Sequence, residues 1–538
     1  MRPMPGRRWA PGLATAVALA LLLAAFLSVH GSTRSVRAIA HRRPTSGSGS
    51  RTGPGVARSG RRVRDWTRRE NARPGSPGWV IPAGRMAGTY DLAGYADRVS
   101  VLPGEPFHLY VSSSLGDVRV AAFRLGYYGG AGARQVWASG LVRGHRQATP
   151  TLANDRMVTT AWTPSLTVPT TGWPEGTYLL KLVAGGRQKY VPVTVRSPQV
   201  AGRLVLLNAT TTYQAYNTWG GYSLYYGRDR SFGTRSYRVS YDRPYDGSGA
   251  KQLLNFEAAT IQRAERLGLP LAYLTSSDLD ADPGALAGAR GVVSLGHDEY
   301  WSTPMRAALE RAADAGTNLA FLGADAVDWR VRLQPSRLGA RRVMAGYKSA
   351  ALDPVKGSVD TTTKWRQQPH PDPQNSLVGM LYECFPARGA MVVRDPAFFL
   401  FAGTGARKGS AYAGLVGTEI DRAYPVGGTP ANLQVVAHSP VTCGGHGRTA
   451  SDMSYYTRRS GAGVFSTGTM LWVRAIRGVD ARYGITTDSS RFARTVTDTL
   501  LRAMSSGPMG RTHPASADLA GLHAPATTGT GTGGPVAH

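Results

Sequence analysis

His297 and Glu299 stand two residues apart in Gly296-His297-Asp298-Glu299-Tyr300-Trp301-Ser302. In extended backbone, residues i and i+2 point to one side, so an imidazole and a carboxylate would face the same space. A carboxylate in that position is either a hard-oxygen metal ligand or a general base. The alternative is a surface loop with an ordinary acidic cluster. A second group of interest is the run Tyr213-Gln214-Ala215-Tyr216-Asn217-Thr218-Trp219-Gly220-Gly221-Tyr222-Ser223-Leu224-Tyr225. Aromatic-rich loops stack on sugars or fill a core, and Tyr213, Trp219, Tyr222 and Tyr226 would then be stacking platforms or packing residues. Tyrosine is an uncommon metal ligand because its phenol titrates near pH ~10, although a bound trivalent cation stabilises the phenolate. A third group is Thr418-Glu419-Ile420-Asp421, which follows the apolar run Gly414-Leu415-Val416-Gly417.

Nucleophilic catalysis fits poorly. No Gly-x-Ser-x-Gly elbow stands at the expected strand ends. The cysteines, Cys384 in Tyr382-Glu383-Cys384-Phe385-Pro386 and Cys443 in Thr442-Cys443-Gly444-Gly445, do not stand at strand–helix turns. Two cysteines alone cannot complete a four-ligand zinc site. In an oxidising compartment they could pair, and the sequence leaves a disulfide and two separate thiols equally open.

The elements that must position these residues follow from periodicity. From Gly78 to Ser197 short apolar runs alternate with Gly, Pro and Asn: Phe107–Ser112, Val118–Leu125, Met157–Trp162, Tyr178–Val183 and Lys189–Val195. This pattern predicts a β-sandwich of immunoglobulin-like type over 78–198. From Ala201 the pattern changes. Leu204-Val205-Leu206-Leu207 suits a buried parallel strand, as do Leu271–Leu274, Gly291–Leu295 and Asn318–Leu322. Gln252–Leu267 carries helical spacing. A helix capped by Ser302 or Thr303, with Pro304 in its first turn, should run to Gly316. This alternation predicts a doubly wound α/β domain over 199–505. Ligands in open parallel sheets bind beyond the carboxyl ends of strands. The Tyr213–Tyr225 run, His297–Glu299, Gly323-Ala324-Asp325 and Glu419 all fall at such ends.

With 538 residues the chain is long enough for two or three domains. Its net charge of +29 is uneven: residues 1–74 hold fifteen Arg against Asp65 and Glu70, a local balance of +13. No zinc-finger spacing, RNA-binding signature or basic zipper accompanies this charge, so no nucleic-acid partner is expected. Arg2, Arg7 and Arg8 precede an apolar run from Pro11 to Val29. This is a signal peptide or signal anchor over 1–40, the latter tying the chain to a membrane. Arg7-Arg8 also fits a twin-arginine route. The bulk of the protein is expected outside the cytoplasm. Residues 41–77 read as a flexible linker and 506–538 as a disordered tail.

Several ordered motifs carry a resemblance. Tyr213–Gly221, Ser223-Leu224-Tyr225 and Gly296–Ser302, with Leu125-Gly126-Tyr127-Tyr128-Gly129-Gly130 and Tyr241-Asp242-Arg243-Pro244-Tyr245, resemble the C-terminal domain of the N,N-dimethylformamidase large (beta) subunit. The resemblance implies a glutamine-amidotransferase-like α/β fold without its cysteine nucleophile. It implies a mononuclear, ferric iron held by Tyr216, Tyr225 and Glu299. Tyr216 is preferred to Tyr213 because it occupies the Ala-Tyr part of the motif. His297 matches the family's active-site histidine, and Glu419 resembles a second catalytic acid. The implied activity is hydrolysis of an amide C–N bond. The export signal sets the chain apart from an intracellular catabolic enzyme, so dimethylformamide itself is not the expected substrate, and the partner is a small amide or an envelope component. Two other readings remain: a non-catalytic envelope glycan-binding protein on the same fold, and a basic envelope protein held by electrostatics through Arg34–Arg73.

Overall fold

A computed structural model describes residues 65–444 and 447–523. The apolar leader, the Arg-rich segment up to residue 64 and the tail from residue 524 lie outside the described residues. Among the described residues, no helix is long and apolar enough to cross a membrane.

The first part is built from two small sheets. One orders the strands Leu92–Ala96, Phe107–Ser113 and Leu166–Val168; the other orders Ser100–Val101, Arg187–Val195, Gly176–Ala184, Arg119–Leu125 and Ala133–Ala138. Alternate residues from both sheets, among them Leu92, Leu109, Val120, Leu180 and Val191, share one core. The expected strand Met157–Trp162 shrinks to the two residues Val158–Thr159, because Trp162 turns inward against Tyr95 and Trp219.

The second part centres on a nine-stranded mixed sheet. Leu271–Thr275, Leu204–Asn208, Gly291–Ser294, Asn318–Phe321 and Gly463–Ser466 lie side by side and parallel. Period-two alternation divides their side chains: Leu204 and Leu206 enter the core on one face, Val205 and Leu207 the core on the other. Helices cover both faces, with Ala258–Leu267 and Thr487–Ser506 on the first and Thr303–Asp314 on the second. Ser302 caps the last of these, its hydroxyl accepting from the Met305 N–H at 3.4 Å.

The doubly wound pattern stops there. The remaining strands, Gly447–Thr457, Gln434–Cys443, Leu381–Val392 and Ala411–Arg422, extend the sheet antiparallel. Their interleaved Arg, Gly and Pro hide the strand signal in the sequence. The terminal strand folds back on the segment after Gly463–Ser466. The Asp421 N–H donates to the Gly468 carbonyl at 3.0 Å, and Ile420 forms a bridge with Thr469. Cys384 and Cys443 are joined as a disulfide between neighbouring strands.

Three expectations need correction. The predicted helix Gln252–Leu267 breaks into Lys251–Phe256 and Ala258–Leu267. Glu257 at the break turns its carboxylate to the Ala209 N–H, at 2.9 Å, and the Asn208 amide, at 2.6 Å. The expected linker is helical over residues 65–71. Its Glu70 accepts from the Tyr128 hydroxyl and pairs with Arg134, so it packs on the β part. The expected tail is ordered to residue 523, with Asp518 paired to Arg394 and Leu519 buried.

The β part and the α/β part meet at a buried ion pair. Arg124, on strand Arg119–Leu125, is 0% exposed and reaches Glu265 of helix Ala258–Leu267 at 2.5 Å. Removing one partner strands the other charge in a low dielectric. Arg124→Met is therefore expected to lower unfolding free energy by about 3–5 kcal/mol, read from the urea midpoint. Arg124→Met with Glu265→Leu is expected to recover part of that loss, since neither charge of the pair is left alone, while the Tyr273 hydroxyl and the Asn71 amide still lose their Glu265 partner.

Candidate functional site

Tyr216 sits where the short helix Thr210–Ala215 ends, and its N–H closes the last turn on Thr212. The chain then leaves through Gly220 and Gly221, at φ +82° and +91°. Both conformations favour glycine, and a Cβ at Gly220 would lie 2.6 Å from Val158. The loop returns so that the Leu224 N–H donates to the Ala215 carbonyl at 3.0 Å. That return stacks the Tyr225 ring on Tyr216, with centroids 4.7 Å apart. Leu224, Val239, Tyr300, Val331 and Met344 pack around the pair.

Glu299 arrives from the end of strand Gly291–Ser294. Its N–H donates to the Thr212 hydroxyl at 3.0 Å, and its carbonyl accepts from the Asp328 and Trp329 N–H groups at 3.1 and 3.0 Å. The close approach of neighbouring strand ends needs Gly323, where a Cβ would stand 2.2 Å from the Gly296 carbonyl oxygen. Glu419 comes from the terminal antiparallel strand. Its carbonyl accepts from the Met470 N–H at 3.3 Å, so the fold-back brings it beside the parallel strand ends.

The five residues singled out in the sequence converge. The Tyr216 hydroxyl donates to Glu299 at 2.7 Å, the Tyr225 hydroxyl donates to the other Glu299 oxygen, and the two hydroxyls lie 3.2 Å apart. His297 Nε2 stands 3.3 Å from Glu299 and 3.6 Å from Glu419, at ion-pair distance but without hydrogen-bond geometry. Glu299 is 0% and His297 5% exposed. Tyr213 takes no part; its hydroxyl donates to Glu257. The stacking-platform reading loses Tyr213 and Trp219, both buried in packed cores, while Tyr222 is half-buried and Tyr226 exposed.

Burial first, and then the Glu299 charge, push both phenols well above their ordinary pKa. They therefore stay protonated until a cation arrives. Burial alone would raise Glu299, but His297 and the Lys348 charge outweigh it and hold the carboxylate below its usual range. His297 is disfavoured as a cation by burial, yet Glu299 and Glu419 raise it above its ordinary value. Burial raises Glu419, with the Glu299 charge adding to the effect and His297 opposing it.

The donor set suits a small hard cation. Oxygens sharing such an ion at bonds of about 2.1 Å and right angles stand about 3 Å apart, close to the spacings of the Tyr216, Tyr225 and Glu299 oxygens. The facing His297 and Glu419 atoms are buried and lack hydrogen-bond partners. Glu299, Asp325 and Asp328 also offer carboxylate oxygens within 4.8 Å of one another, close enough to hold a metal ion. Asp328 is already engaged by Lys364 at 2.8 Å and by the Gln374 amide at 3.2 Å. Both corners share Glu299, and Asp325 Oδ1, like Glu419 Oε2, is buried without a hydrogen-bond partner.

Sequence reasoning missed Lys348. Its Nζ lies 3.2 Å from the Tyr225 ring centroid and 4.4 Å from that of Trp329, with no hydrogen-bond partner. Burial pushes it down to about 7, against the pull of Glu299, Asp325 and Asp328. Nothing in Gly346-Tyr347-Lys348-Ser349 marks it, because its enclosure depends on the four-stranded sheet that contains Gly339–Ala345 and Trp329–Ser336.

Beneath the site Glu257 is held by Tyr213, Asn208 and Ala209, and burial raises its carboxyl from 4.5 to about 7 despite those bonds. The folded state thus binds this proton more tightly than the unfolded chain. The group's contribution is present in full below its unfolded pKa and is lost as pH rises to the folded value. Glu257→Gln is expected to flatten the fall in melting temperature between pH 4.5 and about 7. A scanning-calorimetry series against pH checks it. Asp298 and Asp421, also raised to about 7 mainly by burial, should leave a residual slope.

No curated protein matches the chain. Among solved structures, Cwp6 from Clostridium difficile is similar at 10% identity over 44% of this chain and 37% of that one, with a TM-score of 0.12, too slight to carry an argument. The family described as N,N-dimethylformamidase beta subunit-like, C-terminal, matches residues 119–485. That span holds every residue of the convergent site and more than half of the 538 residues, and the chain belongs to this family.

Proposed function

We propose that the protein is an exported, iron-dependent hydrolase of an amide C–N bond. The observation that carries this reading is the meeting of two tyrosine hydroxyls on one buried carboxylate, faced by His297 and Glu419. Tyr216, Tyr225 and Glu299 would hold the iron, which when bound supplies Lewis acidity towards an amide carbonyl and acidifies water.

The remaining work falls to the chain itself. Water adds through its oxygen to the acyl carbon, the C–N bond breaks, and the nitrogen leaves with a proton. His297 and Glu419 share the space in which both proton transfers must occur. A raised imidazole beside a raised carboxyl gives one group able to donate and one able to accept near neutral pH. Phe256 packs edge-on against the His297 ring, with centroids 5.3 Å apart, and limits its rotation. Lys348 stands beside Tyr225 with its ammonium pushed down to about 7 by burial, and in its protonated form it can neutralise a phenolate.

Export is supported by the basic leader before an apolar run and by the Cys384–Cys443 disulfide, since such bonds persist in oxidising compartments. The test is metal analysis of the purified protein together with amine release from a panel of small amides. Iron with amine release supports the reading; a metal-free protein that iron cannot load, and that releases no amine, sinks it.

A further inference from the structure

A cleft of about 650 Å³ opens where the β part meets the α/β part, and no residue of the convergent site lines it. Residues 97–102 form one side and the connection 196–201 another. The helix Ser276–Ala281 and the strand Gly339–Ala345 close the rest. Val99, Leu102, Val200, Leu274 and Ala285 make the walls partly apolar. A cleft of this size at a junction between domains has room for a small molecule. At its inner end Arg98, Val99 and Arg342 also line an enclosed cavity of about 30 Å³ next to Thr210, Tyr213 and Gln214, which has room for water but not for a ligand.

The carboxylates of the cleft are already engaged. Asp97 accepts from the His108 N–H at 2.8 Å. Asp278 accepts from the Ser100 hydroxyl at 2.5 Å and from the Thr275 N–H at 2.8 Å. Asp282, on the exposed rim, accepts from the Gly284 N–H at 2.7 Å. Donors, by contrast, are left over. Arg342 is 4% exposed. Its Nε pairs with Asp242 at 2.9 Å and its Nη2 donates to the Ala96 and Tyr241 carbonyls at 2.9 Å, but its Nη1 has no partner. The Ser277 hydroxyl, on a residue 7% exposed, has none either. A buried donor is costly unless a ligand or water supplies an acceptor. The charges point the same way. Arg342 is matched by Asp242, Arg341 by Asp280, and Arg196 by Asp278 and Glu105. Arg98 is exposed, donates only to the Leu338 carbonyl at 3.3 Å, and has no carboxylate at ion-pair distance among the described residues.

We propose that this cleft binds a monocarboxylate carried on a small apolar body, with Arg98, Arg342 Nη1 and the Ser277 hydroxyl as the donors to its two oxygens. A guanidinium matches a carboxylate in shape and charge. One unmatched guanidinium balances a single negative charge and leaves the second charge of a phosphate without a partner. The apolar walls take the rest of the molecule. The site is separate from the metal centre, and the inference stands apart from the hydrolase reading.

The test is calorimetric titration of the full chain with hexanoate and benzoate, set against hexyl phosphate and hexylamine. The carboxylates are expected to bind saturably, hexyl phosphate more weakly and hexylamine not at all. Arg98→Ala should raise the carboxylate Kd about tenfold and Ser277→Ala about threefold. Arg98 is exposed and the Ser277 hydroxyl bonds to nothing, so both variants should melt with the wild type. The rise in melting temperature that the carboxylate gives the wild type should shrink in each. Carboxylate binding that neither substitution weakens places the ligand elsewhere, the metal centre included, and overturns the inference. So does the absence of saturable carboxylate binding, or tighter binding of hexyl phosphate or hexylamine.

Discussion

Glu299→Ala is expected to empty the metal centre and take hydrolysis to the uncatalysed background. The carboxylate accepts from both phenol hydroxyls, and its two oxygens are divided between them. Without it, Tyr216 and Tyr225 are two protonated phenols in a closed site, raised first by burial. Neither would ionise for a weakly held cation. Iron content should drop from about one equivalent to trace, and the visible absorption expected of a ferric phenolate should vanish with it. The backbone anchors of residue 299 involve its N–H and carbonyl and survive the change, so circular dichroism should stay the same. Retained iron with retained turnover would falsify the ligand assignment.

Glu419→Gln should separate binding from chemistry. Glu419 faces His297 across 3.6 Å and does not contact either tyrosine hydroxyl. The amide preserves size and can still hydrogen-bond, but it cannot take a proton. Iron content and its absorption should match the wild type, while kcat falls about a hundred- to ten-thousand-fold. A rise in KM with kcat unchanged, or loss of iron, would show instead that Glu419 is a binding group or a ligand. His297→Ala should resemble it in turnover but bind iron less well, because it also removes the group that helps keep Glu299 ionised.

These outcomes bear on how much could be seen in the sequence. The parallel strands were plain, since Leu204–Leu207 and Gly291–Leu295 are unbroken apolar runs flanked by helical periods. The spacing of His297 and Glu299 and the Ala-Tyr motif single out residues that the fold brings together. The antiparallel half was opaque because its strands are half-exposed and carry Arg, Gly and Pro, as in Leu381–Val392. Nothing in Thr418-Glu419-Ile420-Asp421 says what Glu419 faces, and only the fold-back onto Gly468–Met470 explains why it meets His297. Lys348 gave no local sign, as its surroundings are assembled from strands remote in sequence. The break at Glu257 was invisible for the same reason: a buried acid satisfied by Asn208 and Ala209 looks, in sequence, like an ordinary helical glutamate.

The returning terminal strand also has a bearing on biosynthesis. Glu419 takes its place only through its contact with Met470, beside the fold-back onto Gly468 and Thr469, and the sheet face behind Leu204 and Leu206 is covered by helix Thr487–Ser506. The five-residue corner is therefore complete only when nearly the whole domain has been translated and folded.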